Sequence, residues 1–377
     1  MTANGELRAA AQAIVREDLA EICRNVEPEW PSLAGGRLLI TGGAGFLGYY
    51  LVQAIVFRNR LSAPDDRIDP TVWDHFGRGR PGWIDELERQ GQMRLASYDV
   101  TTPLPDPMPD FTHVVHAASI ASPIYYRQHP VETMDANVTG LRQLLDWARR
   151  RADEGHPLAG MLFFSTSEIY GDPDPANIPT PETYRGFVSC TGPRACYDES
   201  KRYGETLCVN FAAQYGVPVA IARPFNNYGP GLKLEDRRVI PDFARDVFAG
   251  RDIEMLSPGT PTRTFCYITD AISGYYKILA RGRPGEPYNI GVEAPEISML
   301  ELAERIAATA RELFGYEGSV IRAVSSDPEY LTDNPNRRCP VIAKAREELG
   351  YVPVIGIDDG LRRTLTWYAG TPAGSEA

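Results

Sequence analysis

The chain lacks what a metal centre, a nucleic-acid interface or a membrane anchor requires. Its cysteines (Cys23, Cys190, Cys196, Cys208, Cys266, Cys339) and histidines (His75, His113, His116, His129, His156) show no metal-ligand spacing, so no metal is expected. The cysteines form no dense disulfide framework either, which favours reduced thiols and a cytoplasmic protein. Basic stripes are missing. A net charge of −11 argues against nucleic acid, whose phosphates need them. No apolar run is long enough to span a bilayer, and the first residues are charged and alanine-rich rather than leader-like, so no membrane association is expected. Internal repeats and low-complexity segments are absent as well.

What the chain does have is length for two domains and alternation. At 377 residues it exceeds the ~150-residue prior for one domain, and its 43% hydrophobic residues can fill a sizeable core. Residues 1–34 carry Leu7, Ala11, Ile14, Val15, Leu19, Ile22 and Val26 at helical spacing, which predicts one or two amphipathic helices packed on the protein's own surface or on a twin subunit. Strand-like runs follow at 37–41, 71–74, 93–97, 112–117, 160–166 and 217–222, with helices near 45–58, 131–151 and 197–215. This pattern predicts an α/β fold: a Rossmann, doubly wound parallel sheet over 35–225. From 226 to 368 proline and glycine cluster and helices shorten (239–249, 298–314, 341–350), as in a smaller interleaved α/β lobe that closes over a substrate. Residues 369–377, small and polar, read as a flexible tail.

Thr41-Gly-Gly-Ala-Gly-Phe-Leu-Gly48, between an apolar strand and an amphipathic helix, is a dinucleotide fingerprint in its confirming context. Gly42 permits the turn, Gly45 lets pyrophosphate approach the backbone, and Gly48 lets the helix close on the strand, with Phe46 and Leu47 opening that helix. Asp74 ends the second strand and is the candidate for the adenosine ribose. A carboxylate there disfavours a 2′-phosphate, so the cofactor is read as NAD. Asp74 stands further on than the usual ~20 residues, with a polar insert from Arg58 to Pro70 between, and Arg78 and Arg80 follow closely enough to meet a phosphate. Ligands bind at the carboxyl ends of parallel strands, which adds Asp99, Val100, Ala117, Ser119 and Pro224 to the cofactor set.

Tyr197-Asp-Glu-Ser-Lys201 puts a phenol and an ammonium one helical turn apart on one face. Bringing a tyrosine from ~10 to ~7 takes about 4 kcal/mol. One ammonium at about 4 Å supplies roughly that at an effective dielectric of ~20. Such a pair makes a general base for an alcohol proton, the group that hydride abstraction from a carbinol carbon needs.

With Ser165-Thr-Ser-Glu-Ile-Tyr-Gly-Asp-Pro173, Gly192-Pro-Arg-Ala-Cys-Tyr-Asp-Glu-Ser-Lys201 and Arg223-Pro-Phe-Asn-Asn-Tyr-Gly-Pro230 in hand, the chain resembles the extended short-chain dehydrogenase/reductases that act on nucleotide sugars. Within them it is most similar to the UDP-glucuronate decarboxylases, over about residues 36–368. The resemblance implies that Tyr197 takes the proton of the sugar 4-hydroxyl, Lys201 holds the phenolate and nicotinamide ribose, and Thr166 bonds the 4-oxygen. It implies acid/base and carboxylate-side roles for Glu168 and Arg263, with Arg263 alternatively clamping the diphosphate. Asn226, Arg238 and Arg338 match substrate-holding residues, Arg338 as a distal diphosphate arginine, and Tyr126 is a candidate for the carboxylate end. The implied reaction is decarboxylation of UDP- or dTDP-glucuronic acid through a 4-keto intermediate, giving nucleotide-xylose with some 4-keto pentose. A 4,6-dehydratase is disfavoured because Ser167 stands where that group has an aspartate. A 4-epimerase is disfavoured because the position of Glu168 is typically uncharged in that group, whereas a carboxylate facing the substrate's own favours losing that group as carbon dioxide. A non-catalytic NAD-sensing module is a further alternative, weakened by the presence of Thr166, Tyr197 and Lys201. Met255-Leu-Ser-Pro-Gly-Thr-Pro261 departs from the family's pattern and suggests a looser hold on the nucleotide. The resemblance also implies a homodimer through a four-helix bundle, using Val138, Leu141, Leu144, Leu145, Leu207 and Phe211.

Overall fold

The computed structural model describes residues 3–371 apart from 326, 328, 330 and 331. Seven strands form its main sheet: β1 (Arg37–Thr41), β2 (Asp69–Asp74), β3 (Arg94–Ser97), β4 (His113–His116), β5 (Gly160–Phe164), β6 (Val219–Pro224) and β7 (Pro287–Ile290). Their order is β7-β6-β5-β4-β1-β2-β3, and every neighbouring pair is parallel. Parallel pairing needs crossovers, and these put helices on both faces. One helix, α1 (Ala3–Asn25), precedes the sheet. Then follow α2 (Phe46–Leu61), α3 (Leu141–Asp153), α4 (Ala195–Tyr215), α5 (Val239–Phe248), α6 (Ile268–Arg281), α7 (Met299–Phe314) and α8 (Ile357–Gly370).

Side-chain alternation along β1 divides the core. Leu38 and Ile40 point to one face, packed with residues of α1, α2, α6 and α8, while Leu39 points to the other, packed with α3 and α4. Leu141, Leu144, Leu145, Leu207 and Phe211 are buried in that second layer beside Val114, Phe163 and Ile221. This corrects the reading of them as a dimer stripe: a crossover helix must first bury an apolar face on its own sheet.

Sequence periodicity missed α8, the helix Gly82–Arg89 and two elements at the main sheet. In α6 Ile268 through Leu279 are all buried, so no polar face marks a period of 3.6. Its neighbour β7 is short and opens on Pro287, yet it completes the sheet from within the segment assigned to the second lobe. The insert 58–70 is likewise mostly regular structure. Helix α2 continues to Leu61 and β2 starts at Asp69, while the Asn59 amide both donates to the Ile68 carbonyl (2.7 Å) and accepts from its N–H (3.0 Å). Helix α8 extends through Gly370, so the expected tail starts later than 369, and beyond Thr371 it lies outside the described residues.

The N-terminal segment is one 23-residue helix packed on α8, followed by a turn at Trp30–Leu33. Two buried carboxylates fasten it. Asp18 accepts from the hydroxyls of Tyr267 (2.8 Å) and Tyr50 (3.1 Å) and pairs with Arg363 (3.0 Å). Glu29 pairs with Lys277 (3.2 Å) and Arg281 (3.1 Å). Removing the Asp18 carboxyl leaves two buried hydroxyls unpaired, at about 1–3 kcal/mol each. Asp18→Ala should therefore lose about 2–5 kcal/mol in a denaturant melt, and Asp18→Asn, which keeps an acceptor, clearly less. Equal and small losses in both would show that α1 is not held through this residue.

Candidate active site

The carboxyl ends of the strands open into a cleft of about 1470 Å³. Every residue named above as catalytic, cofactor-binding or substrate-binding lines it. At the β1–α2 turn Gly42 has φ +72°, and a Cβ there would lie 2.6 Å from the Ala118 backbone. A Cβ on Gly48 would lie 2.4 Å from the Gly43 carbonyl. Gly45 differs: its nearest neighbour would be an ordinary 3.5 Å away, so no protein atom demands a glycine there. The bare backbone faces the cleft, where no side chain caps the start of α2. A dinucleotide phosphate fits this cradle.

Asp74, at the end of β2, is steadied by the N–H groups of Ala44 (3.0 Å) and Phe76 (2.8 Å). The two arginines that could have met a 2′-phosphate are occupied. Arg78 pairs with Asp236 (3.0 Å) and lies over the Tyr125 ring (4.4 Å), while Arg80 pairs with Asp85 (2.5 Å) and Glu88 (3.4 Å). Asp99 closes its own turn by accepting from Thr101 N–H (2.9 Å). Val100 is buried, and Ala117 and Ser119 form the floor after β4. In the cleft the buried Ser119 Oγ and Tyr126 Oη have no partner among the described residues.

Thr166 follows β5 and accepts from Glu168 N–H (3.2 Å), which starts the turn Ser167–Tyr170. Tyr197 and Lys201 rise from the first turns of α4. The Tyr197 ring is stacked on Tyr126 with centres 5.1 Å apart and planes 7° from parallel. Lys201 Nζ donates to the Phe164 carbonyl (2.7 Å) and lies 5.8 Å from the Tyr197 ring centre. Burial dominates both groups. It pushes the Tyr197 phenol up to about 12, against the pull of the Thr166 hydroxyl, and brings the Lys201 ammonium down to about 7. Burial therefore works against the expected phenolate near neutrality. Sequence spacing supplied the ammonium but not the desolvation of both partners.

Opposite them lies a cluster of arginines. Glu168 is gripped by Arg338 through both Nη atoms (Nη2 at 2.7 Å) and by Arg194. Burial would raise its carboxyl, but Arg194, Arg338 and Arg263 together hold it down at about 2. Asp198, buried behind Arg194 at 3.8 Å, goes the other way: burial and then Glu168 raise it to about 7, with Asp333 adding and Arg194 and Arg338 opposing. Arg263 is lowered to about 9, by burial first and then by Arg338. It donates to the carbonyls of Thr262 (2.7 Å) and Asn336 (3.2 Å) and to Asn334 Oδ1 (3.2 Å).

These contacts bear on four expectations. Arg338, read as a distal diphosphate residue, is the arginine on Glu168, and Arg263 is turned to a loop backbone. Glu168 does not present a bare repelling carboxylate, because guanidinium groups outnumber it. The loop 255–261 is pinned rather than loose: Met299 N–H donates to the Pro261 carbonyl (3.0 Å) and Leu300 N–H to that of Gly259 (3.1 Å). Asn226, with φ +42°, donates to the Thr264 carbonyl (2.8 Å), and Arg238 pairs with Asp236 (3.0 Å). Sequence reasoning named no role for Arg194, Asp198 or Asp236. Arg194 was detectable in Gly192-Pro-Arg-Ala-Cys196, three residues before the base. The buried carboxylates carried no signal.

The model of the NAD dependent epimerase/dehydratase family matches residues 38–291. UDP-glucuronic acid decarboxylase 3 of Arabidopsis thaliana is 36% identical over 325 residues, 86% of each chain. UDP-glucuronic acid decarboxylase 1 of Xenopus tropicalis is 33% identical over 94% of this chain and 79% of its own. Among solved structures, a dTDP-glucose 4,6-dehydratase of Streptomyces venezuelae with NAD bound superposes with a TM-score of 0.73 at 26% identity, covering 88% of this chain and 96% of the other. A glycine cradle, a ribose-side aspartate and a Thr-Tyr-Lys set at the carboxyl edge of one parallel sheet accord with these matches, and the chain belongs to the NAD-dependent epimerase/dehydratase family.

Proposed function

We propose that the protein decarboxylates a nucleotide-glucuronate, UDP- or dTDP-linked, through a 4-keto intermediate to a nucleotide-pentose. The observation that carries this reading is the cationic pocket, Arg194, Arg263 and Arg338 around Glu168, facing Tyr197 across the cleft in a chain whose relatives are UDP-glucuronic acid decarboxylases. A neutral hexose offers such a pocket nothing to neutralise, whereas a uronate does. In this reading residues 35–225 serve mainly the dinucleotide and 226–368 mainly the sugar nucleotide.

NAD, when bound, supplies the acceptor and later the donor of hydride, and in its oxidised form a positive charge. Burial disfavours the Tyr197 phenolate, so it needs added positive charge nearby before it can act as base. Lys201, near half-charged at neutrality, is the group within reach. Thr166 pairs with the same sugar oxygen. Once C4 is a ketone, it stands beta to the carboxylate. The C5–C6 bond then breaks, its electron pair moves into the ketone as an enolate, carbon dioxide leaves, and C5 takes a proton. Two carboxyls with separated pKa values divide the remaining work. Glu168, held ionised, orients Arg338 and Arg194, while Asp198 carries a proton through the neutral range. Because the 255–261 loop is pinned, reduced pentose is the main product and 4-keto pentose the lesser one.

We further propose a cytosolic homodimer. The outer face of the helix pair at 130–153 and 195–215 leaves Met134 (38%) and Tyr203 (51%) exposed beside the half-buried Val138, which replaces the core residues as the apolar face of a two-fold contact. Light scattering should give twice the chain mass at micromolar concentration. A monomer there removes this proposal.

Tyr197→Phe tests the chemistry. It should still bind NAD and the nucleotide while losing turnover of UDP-glucuronate by about 10²-fold or more. Near wild-type turnover would remove Tyr197 as the base. Asp198 gives a pH test. Its folded pKa of about 7 lies above the ordinary 3.8, so the fold favours the protonated form. That stability is full below about pH 4 and is lost as pH rises through about 7. Asp198→Asn mimics the protonated state, so between about pH 4 and 7 wild-type melts should lose stability relative to the variant. Parallel profiles would show that Asp198 is ionised throughout.

A further inference from the structure

Positive charge at Glu168 exceeds the firmly ionised carboxylate available to it. Three guanidinium groups face Glu168, and Asp198, the buried carboxyl beside Arg194, holds its proton to about neutrality. Asp172 and Asp333 stand at the exposed rim. Buried charge left unbalanced is costly, so the cluster is completed by an anion from outside.

The three arginines are not equally committed. Arg263 is engaged by the backbone around 334–336, and Arg338 gives both terminal nitrogens to Glu168. Arg194 gives Glu168 one nitrogen, stands 3.8 Å from Asp198, and has a buried Nε with no hydrogen-bond partner among the described residues. It caps α4 three residues before Tyr197, so its reach is fixed relative to the base. Tyr126 lies flat against the Tyr197 ring, and its buried hydroxyl also has no partner among the described residues. A carboxylate two bonds from the hydroxyl carbon served by Tyr197 falls toward both free donors.

We propose that Arg194 turns from Glu168 to grip the substrate carboxylate, assisted by the Tyr126 hydroxyl, and is thereby the residue that separates acidic from neutral sugars. This rests on the decarboxylase reading above. Glu168 and Asp198 are then the partners to which Arg194 returns when carbon dioxide leaves, so the neutral product frees the site without stranding a buried guanidinium. Tyr126 thus gains a defined role at the carboxylate end.

Calorimetry in the Tyr197→Phe background, where turnover is stopped, tests this with UDP-glucuronate, UDP-glucose and UDP. Adding Arg194→Gln should weaken UDP-glucuronate about ten- to a hundredfold, the worth of a charge-assisted contact, and leave UDP-glucose and UDP unchanged. Arg194→Lys, which keeps the charge but not the planar fork, should fall between. Binding of UDP certifies a folded site, and if the Gln variant fails that check the Lys variant decides. Equal loss for both sugars, or no loss for the uronate, overturns the assignment. Should the parent protein itself not prefer the uronate to UDP-glucose, the acidic-substrate reading fails instead.

Discussion

Strands that all run in one direction deliver every loop that follows them to a single edge, and the whole cleft depends on that constraint. The glycine turn after β1, Asp74 after β2, Ala117–Ser119 after β4, Thr166–Glu168 after β5 and Pro224–Asn226 after β6 are distant in sequence and adjacent in space for this reason alone. Parallel pairing also requires a helix at each crossover. The long crossover between β5 and β6 is the one that carries Tyr197 and Lys201, so the base is mounted on a helix already fixed by Leu207 and Phe211 in the core.

Electrostatics divide the cleft into two unlike halves. On the Tyr197 side desolvation wins: the phenol is raised and the ammonium is lowered. On the Glu168 side Coulomb attraction wins, and a nearly enclosed carboxyl stays ionised because arginines surround it. The first half waits for positive charge and the second for negative charge. The positively charged nicotinamide ring of a bound oxidised dinucleotide and a sugar acid would satisfy the two demands together, which ties cofactor and substrate binding to activation of the base.

Much of this was legible in the sequence, and the rest was hidden for identifiable reasons. Glycine spacing, alternating runs and the Tyr-x-x-x-Lys pair are local patterns, and they led directly to the sheet and to the residues that line the cleft. Helix α6 was missed because burial on all sides erases the amphipathic period. The apolar stripe of α3 and α4 was misassigned because a stripe looks the same whether it meets its own sheet or a twin subunit. The Glu168–Arg338 pair joins positions 170 residues apart, a separation at which spacing carries no information. Burial, finally, is a property of the fold, so charge pairing alone gave the wrong direction for Tyr197.

The central claim is that the sugar's carboxyl carbon is lost. The direct measurement is to supply NAD and UDP-glucuronate labelled with carbon-13 at C6, then follow the label by nuclear magnetic resonance and the nucleotide sugar by mass. Decarboxylation predicts that the label appears as carbon dioxide and bicarbonate while the nucleotide sugar loses that carbon. Label retained in a uronate of unchanged mass with inverted C4 would contradict the account and assign the cationic pocket to an epimerase.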